Sequence, residues 1–108
     1  MYCVYYSIES AKKYRSSRNS PLTEGLDEIY CLMDDLRSEG KDFIFIYVEE
    51  DTSRTTLTLT GKRYSVEIMT SATYTKTMDK QELLDFIRNF EYVRGDPEKY
   101  SFCEEDVY

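Results

Sequence analysis

Phe43 to Val48 reads Phe-Ile-Phe-Ile-Tyr-Val, an unbroken run of apolar, β-branched and aromatic residues. The run is too short for a buried helix and has no polar position to give it a solvated side. It predicts a central strand buried on both faces. A chain of 108 residues has material for one core, so the rest must build a single sheet around that strand. Hydrophobic residues make up 41% and charged residues 32% of the chain. That balance suits a globular fold and is too apolar for a disordered one. Residues 1–108 are therefore expected to form one small acidic domain.

The flanking segments supply the partners. Tyr2 to Ile8 is rich in β-branched and aromatic residues and predicts a strand, with Val4, Tyr6 and Ile8 on one face. Lys12, Lys13, Arg15 and Arg18 follow among small polar residues and predict an exposed basic loop. Leu22, Leu26, Ile29, Met33 and Leu36 form an apolar stripe at spacings of four and three. They predict a helix over Glu24 to Glu39, capped by Thr23 and stopped by Gly40. After the central run, Thr55–Thr60 and Arg63–Thr70 alternate in polarity around a Gly61-Lys62 turn, as a β-hairpin does. A further extended piece is expected over Thr73 to Thr77. Asp79 and Glu82 make a capping-box pattern, with Met78 and Leu83 placed as a hydrophobic staple. The second helix runs from there, buries Leu83, Leu84, Ile87 and Phe90, and ends near Gly95-Asp96-Pro97. The predicted class is α+β, a mostly antiparallel sheet of four to five strands with two helices, in the order β-α-β-β-β(-β)-α.

Charge and missing residue types narrow the chemistry. The chain has no His and no Trp, and carries 21 acidic against 14 basic side chains for a formal net charge of -7. Histidine is the usual general base near neutral pH and the commonest metal ligand, so most hydrolase and metalloenzyme readings fall away. No phosphate-binding glycine loop and no nucleophile elbow is present. Glu49-Glu50-Asp51 and Glu104-Glu105-Asp106 lack the spacing of a calcium loop. We expect no catalytic residue, cofactor or metal. The negative charge argues against direct nucleic-acid binding and against docking on an anionic membrane. The attraction is toward a basic protein surface.

Cys3, Cys31 and Cys103 are odd in number and widely spaced, which speaks against a disulfide framework and for a reduced, cytoplasmic setting. Cys3 and Cys31 sit among apolar residues and are expected in the core. Carboxylates beside Cys103 disfavour a thiolate there. Met1-Tyr2-Cys3-Val4 has no basic n-region, and no run approaches a membrane span. Of the eleven tyrosines, most are expected as strand formers. Tyr74, Tyr92, Tyr100 and Tyr108, near loops or the tail, are the interface candidates. The expected partner-binding set is Glu49, Glu50, Asp51, Tyr74, Tyr100, Glu104, Glu105 and Asp106.

Four segments carry a family resemblance: Asp42 to Val48, Leu57 to Gly61, Tyr64 to Ile68 and Phe90 to Asp96. Together they resemble bacterial polymorphic-toxin immunity proteins, particularly the Immunity protein 1 family. The resemblance covers the C-terminal two-thirds in layout. The turn between the middle strands keeps one glycine, Gly61, and the basic N-terminal loop departs from the pattern. The resemblance implies a small α+β domain that binds and blocks a cognate toxin without catalysis or cofactor.

Three functions follow. One is an immunity protein capping a toxin such as a nuclease. Another is a phage-encoded anti-CRISPR inhibitor whose carboxylates imitate phosphates. The last is a structural or assembly subunit whose apolar face packs on a neighbouring chain.

Overall fold

The computed structural model describes residues 1–37 and 41–105. Among these described residues, eight strands form one antiparallel sheet: β1 (Tyr2–Ile8), β2 (Lys13–Arg15), β3 (Leu22–Thr23), β4 (Phe43–Val48), β5 (Arg54–Thr60), β6 (Arg63–Met69), β7 (Thr73–Met78) and β8 (Cys103–Glu104). Their order is β2-β1-β4-β5-β6-β7-β8, with β3 also paired to β1. The described residues also form three α-helices, α1 (Asp27–Met33), α2 (Lys80–Arg88) and α3 (Phe90–Gly95), which contribute to one core. The class is α+β, as expected, but with more strands and one more helix. The surplus strands β2, β3 and β8 are two or three residues long. Their polar residues carry no alternating pattern and pair only because β1 and β7 offer open edges.

The core lies between the helices and one face of the sheet. Val4, Ile8, Ile44, Ile46, Val48, Leu57, Val66 and Ile68 point into it, with Ile29, Met33, Leu83, Phe86 and Phe90 from the helices. β4 occupies an interior position between β1 and β5. Its burial corrects the expectation of cover on both faces. Ile44, Ile46 and Val48 are fully buried, whereas Phe43, Phe45 and Tyr47 on the other face are half-buried. Helices cover one face of the sheet; the aromatics of the other shield one another, with Phe45 centred 4.7 Å from Phe43 and 5.0 Å from Tyr5.

The first helix is shorter than its stripe. Thr23 bonds into β3 opposite Tyr2, and its hydroxyl donates to the Gly25 carbonyl at 2.7 Å instead of capping a helix. At the other end, Asp34 and Asp35 place negative charge where the helix dipole is already negative, and the chain turns after Met33. Leu36 remains buried beyond that turn, but Leu22 is 45% exposed. Glu39 and Gly40, the expected end of this helix, lie outside the described residues. The buried carboxylate of Asp42 gathers the chain nearby, accepting from the Glu9 amide (2.9 Å), the Ser10 hydroxyl (2.9 Å) and the Arg37 amide (3.2 Å).

The second helix starts as predicted. Asp79 accepts from the Glu82 amide at 2.8 Å, and Glu82 accepts in return from the Asp79 amide. It breaks at Asn89 and continues as α3, adding Phe86 and Val93 to the core. Leu84, expected on the buried face, is half-buried. The Gly61-Lys62 turn joins β5 to β6 with Gly61 at φ +64°, a conformation that favours glycine. The basic segment is not a free loop. Lys13 and Arg15 lie in β2, Lys13 pairs with Asp35, and Arg15 pairs with Glu28 at 2.9 Å while stacking over Tyr6. Cys3 is buried, but Cys31 faces solvent from α1, on the side away from the apolar stripe.

Candidate functional site

In an antiparallel sheet alternate turns fall at the same end. The β4–β5 turn, the β6–β7 turn and Met1 therefore share one end of this sheet, and the Gly61-Lys62 turn marks the other. Glu49 and Glu50 are exposed in or beside the β4–β5 turn, and Asp51 follows. The tail arrives at the same end: Glu104 pairs with Tyr74, and the Glu105 amide donates to the Thr73 carbonyl at 2.7 Å. From β5 to β8 is three strand spacings, about 14 Å. A hollow of about 250 Å³ lies between the two turns, lined by Asp51, Ser53 and Thr70. Asp106 and Tyr108 lie outside the described residues.

Arg94 organises the acidic side chains. It binds Asp51 across the end of the sheet, and its Nη2 meets the Glu91 carboxylate at 2.7 Å. Arg94 is largely covered, whereas Asp51 and Glu91 stay about half exposed. Burial disfavours the charge of Asp51, yet the Ser53 amide at 3.0 Å and Arg94 outweigh it and hold the carboxyl below its usual range. Glu50 is held below its usual range mainly by its bond to the Met1 ammonium group. Glu91 also accepts from the Tyr2 hydroxyl. Burial and that bond push Tyr2 up to about 12.

Glu91 is one group that the linear sequence does not mark. It lines a cleft of about 480 Å³ with Tyr2, Glu24, Asp27, Tyr30 and Tyr92. Asp96 and Glu98 are others. They approach Tyr74, whose hydroxyl is raised above its usual range first by desolvation and then by Glu104, Glu98 and Asp96. Tyr74 is half-buried against the core, which limits what it offers a partner, but Tyr100 is exposed. Tyr92 is 73% exposed beside Glu91 and presents more surface than either. What joins these residues is the register of β7 with β8 and the packing of α3 against the β4–β5 turn, contacts between segments far apart in the chain.

The result is an end of the molecule on which carboxylates from four separate segments gather, with the largely covered Arg94 and the Met1 ammonium group among them. Comparison with protein-family models, with curated proteins and with solved structures finds no match.

Among the described residues, no group of three or more Cys, Asp or Glu side chains converges as metal ligands would. No described helix is long and apolar enough to cross a membrane. What the acidic end can do is electrostatic: attract a basic surface, orient it, and exchange its solvation for charge-assisted hydrogen bonds.

Proposed function

We propose that the protein is a non-enzymatic inhibitor that binds a basic partner through the acidic end of its sheet. The best reading of that partner is a cognate toxin, such as a nuclease whose active site is built to hold phosphates. The observation that carries the proposal is the convergence of Glu49–Asp51, Glu91 and Glu104–Glu105 at one end of the sheet. A charged field collected on one end steers encounter better than the same charge scattered over the surface. The resemblance to the Immunity protein 1 family names the kind of partner, and the fold contributes a rigid frame for it.

The test is capture of partners from the native host, washed at rising salt, with the wild type and with Glu49→Gln/Glu50→Gln/Asp51→Asn. The expected result is a basic toxin or nuclease held at low salt, released as salt rises, and retained less by the triple variant. Loss of association rate by about tenfold at low salt fits electrostatic steering. Equal binding by the triple variant and the wild type removes this end as the contact. Capture of a CRISPR effector, competed by guide RNA or target DNA, replaces the toxin with the phosphate-imitation reading.

A further inference from the structure

No described helix packs on the other face of the sheet, where the aromatics are half-buried and Cys3 is buried beside Ser20. Cys3, Tyr5, Phe43, Phe45 and Tyr47 lie on it, and none of them belongs to the helix-side core. Threonines and serine continue it across β5, β6 and β7, and Met69 there is 42% exposed. A cleft of about 440 Å³ opens on this face between Leu22, Tyr5, Tyr47 and Arg54. Its charges are few: Arg54, standing 6.0 Å over Tyr47, with Arg63, Glu67 and, at the rim of the cleft, Glu49. Apart from Glu49, the clustered carboxylates lie at the end of the sheet and not on this face.

We propose that a second copy of this chain covers the open face, with a two-fold axis lying across the strands. Two observations choose this occupant and this axis. Glu49 and Lys41 stand at opposite ends of β4, and both are exposed. An axis across the strands lays β4 on its counterpart in antiparallel sense and brings Glu49 of each copy beside Lys41 of the other. An axis along the strands would instead bring the acidic ends together. The across-strand axis also stacks the aromatic group of β1 and β4 on itself and carries Phe43 of each copy over the other's Tyr5–Tyr47 cleft. Two sheets packed this way form an aligned sandwich about 10 Å thick. Five strands of six or seven residues present roughly 500 Å² per copy, so the pair reaches about the 1,000 Å² threshold of a specific interface. The acidic ends then point outward at opposite ends of the dimer, with Glu49 engaged by Lys41 and Glu50, Asp51, Glu91, Glu104 and Glu105 left for a foreign partner.

The test is sedimentation equilibrium over a range of concentrations, with far-UV circular dichroism as the check on folding. The wild type is expected to approach twice the monomer mass as concentration rises. Phe45→Lys, on the open face, should remain monomeric with unchanged secondary structure. Lys41→Glu and Glu49→Lys should each weaken the dimer by roughly tenfold, since each reversal spoils two symmetric ion pairs. The double variant Lys41→Glu/Glu49→Lys should restore it, and this arm stands even where Phe45→Lys does not fold. A wild type that stays monomeric throughout overturns the proposal. So does a dimer indifferent to both the Phe45→Lys and the charge-reversal variants, or a double variant as weak as the singles. Loss of foreign-partner binding by Phe45→Lys, with a monomeric wild type, assigns the face to that partner instead.

Discussion

Arg94 of α3 reaches the carboxylate of Asp51 in the β4–β5 turn, 43 residues away in sequence. The same guanidinium holds Glu91 on its own helix, so one largely covered cation spaces two half-exposed anions. This pair fixes where α3 ends relative to the sheet.

Arg94→Met should therefore cost about 1–2 kcal/mol, the range for losing charge-assisted bonds that are only partly screened from solvent. Urea unfolding measures it, and a midpoint equal to the wild type's would show that the pairing contributes nothing net. Arg94→Lys should recover only part of the loss, because a point charge cannot span both carboxylates as the planar fork does.

Asp42 is the more demanding case because its carboxylate is buried and accepts three hydrogen bonds from the Glu9, Ser10 and Arg37 segments. Asp42→Ala leaves those donors unsatisfied and is expected to cost about 2–4 kcal/mol. Asp42→Asn keeps one acceptor oxygen and should lose less. Thermal unfolding of the two variants side by side gives the order.

The capping box at the start of α2 predicts a smaller effect. Asp79→Ala should lose about 1 kcal/mol, and Asp79→Ser should retain most of the stability, since a serine hydroxyl can accept from the Glu82 amide in the same way. Equal losses for the two would mean that the charge of Asp79, not its capping bond, supports the helix.

Two shifted groups set pH dependence at opposite ends of the scale. Asp51 sits below its usual value in the fold despite the opposing effect of burial, owing to Ser53 and Arg94. Its contribution to stability is complete above the ordinary carboxylate value of about 3.9 and is lost as pH falls through the lower folded value. Unfolding midpoints should decline over that acid range, and less steeply in Arg94→Met. Tyr2 is raised to about 12 by burial and by Glu91. Its contribution is complete below the ordinary tyrosine value of about 10 and is lost as pH rises through the folded value. Ultraviolet titration of phenolate should show one late-ionising tyrosine that disappears in Tyr2→Phe.

The elements legible in the linear chain are those whose signals are local. The capping pair Asp79 and Glu82 are three residues apart, Gly61 supplies its own turn, and the alternation of Leu57 and Leu59 or Val66 and Ile68 is a property of each strand alone. The apolar stripe from Leu26 to Leu36 also finds its buried residues correctly. It overstates the helix because periodicity reports which side chains are buried, not whether the backbone between them stays helical past Asp34 and Asp35.

Local patterns in the chain suffice for the α+β class, the strand over Phe43–Val48, the hairpin, the start of α2 and the excess of negative charge. Tertiary structure alone decided that Glu91 joins Asp51, that Glu104 lies beside Tyr74, and that Phe43, Phe45 and Tyr47 are left on an open face. Strand order, register and the side on which helices pack arise from contacts between segments far apart in the chain. A run such as Phe43–Val48 has the same composition whether one face of its sheet is covered or both.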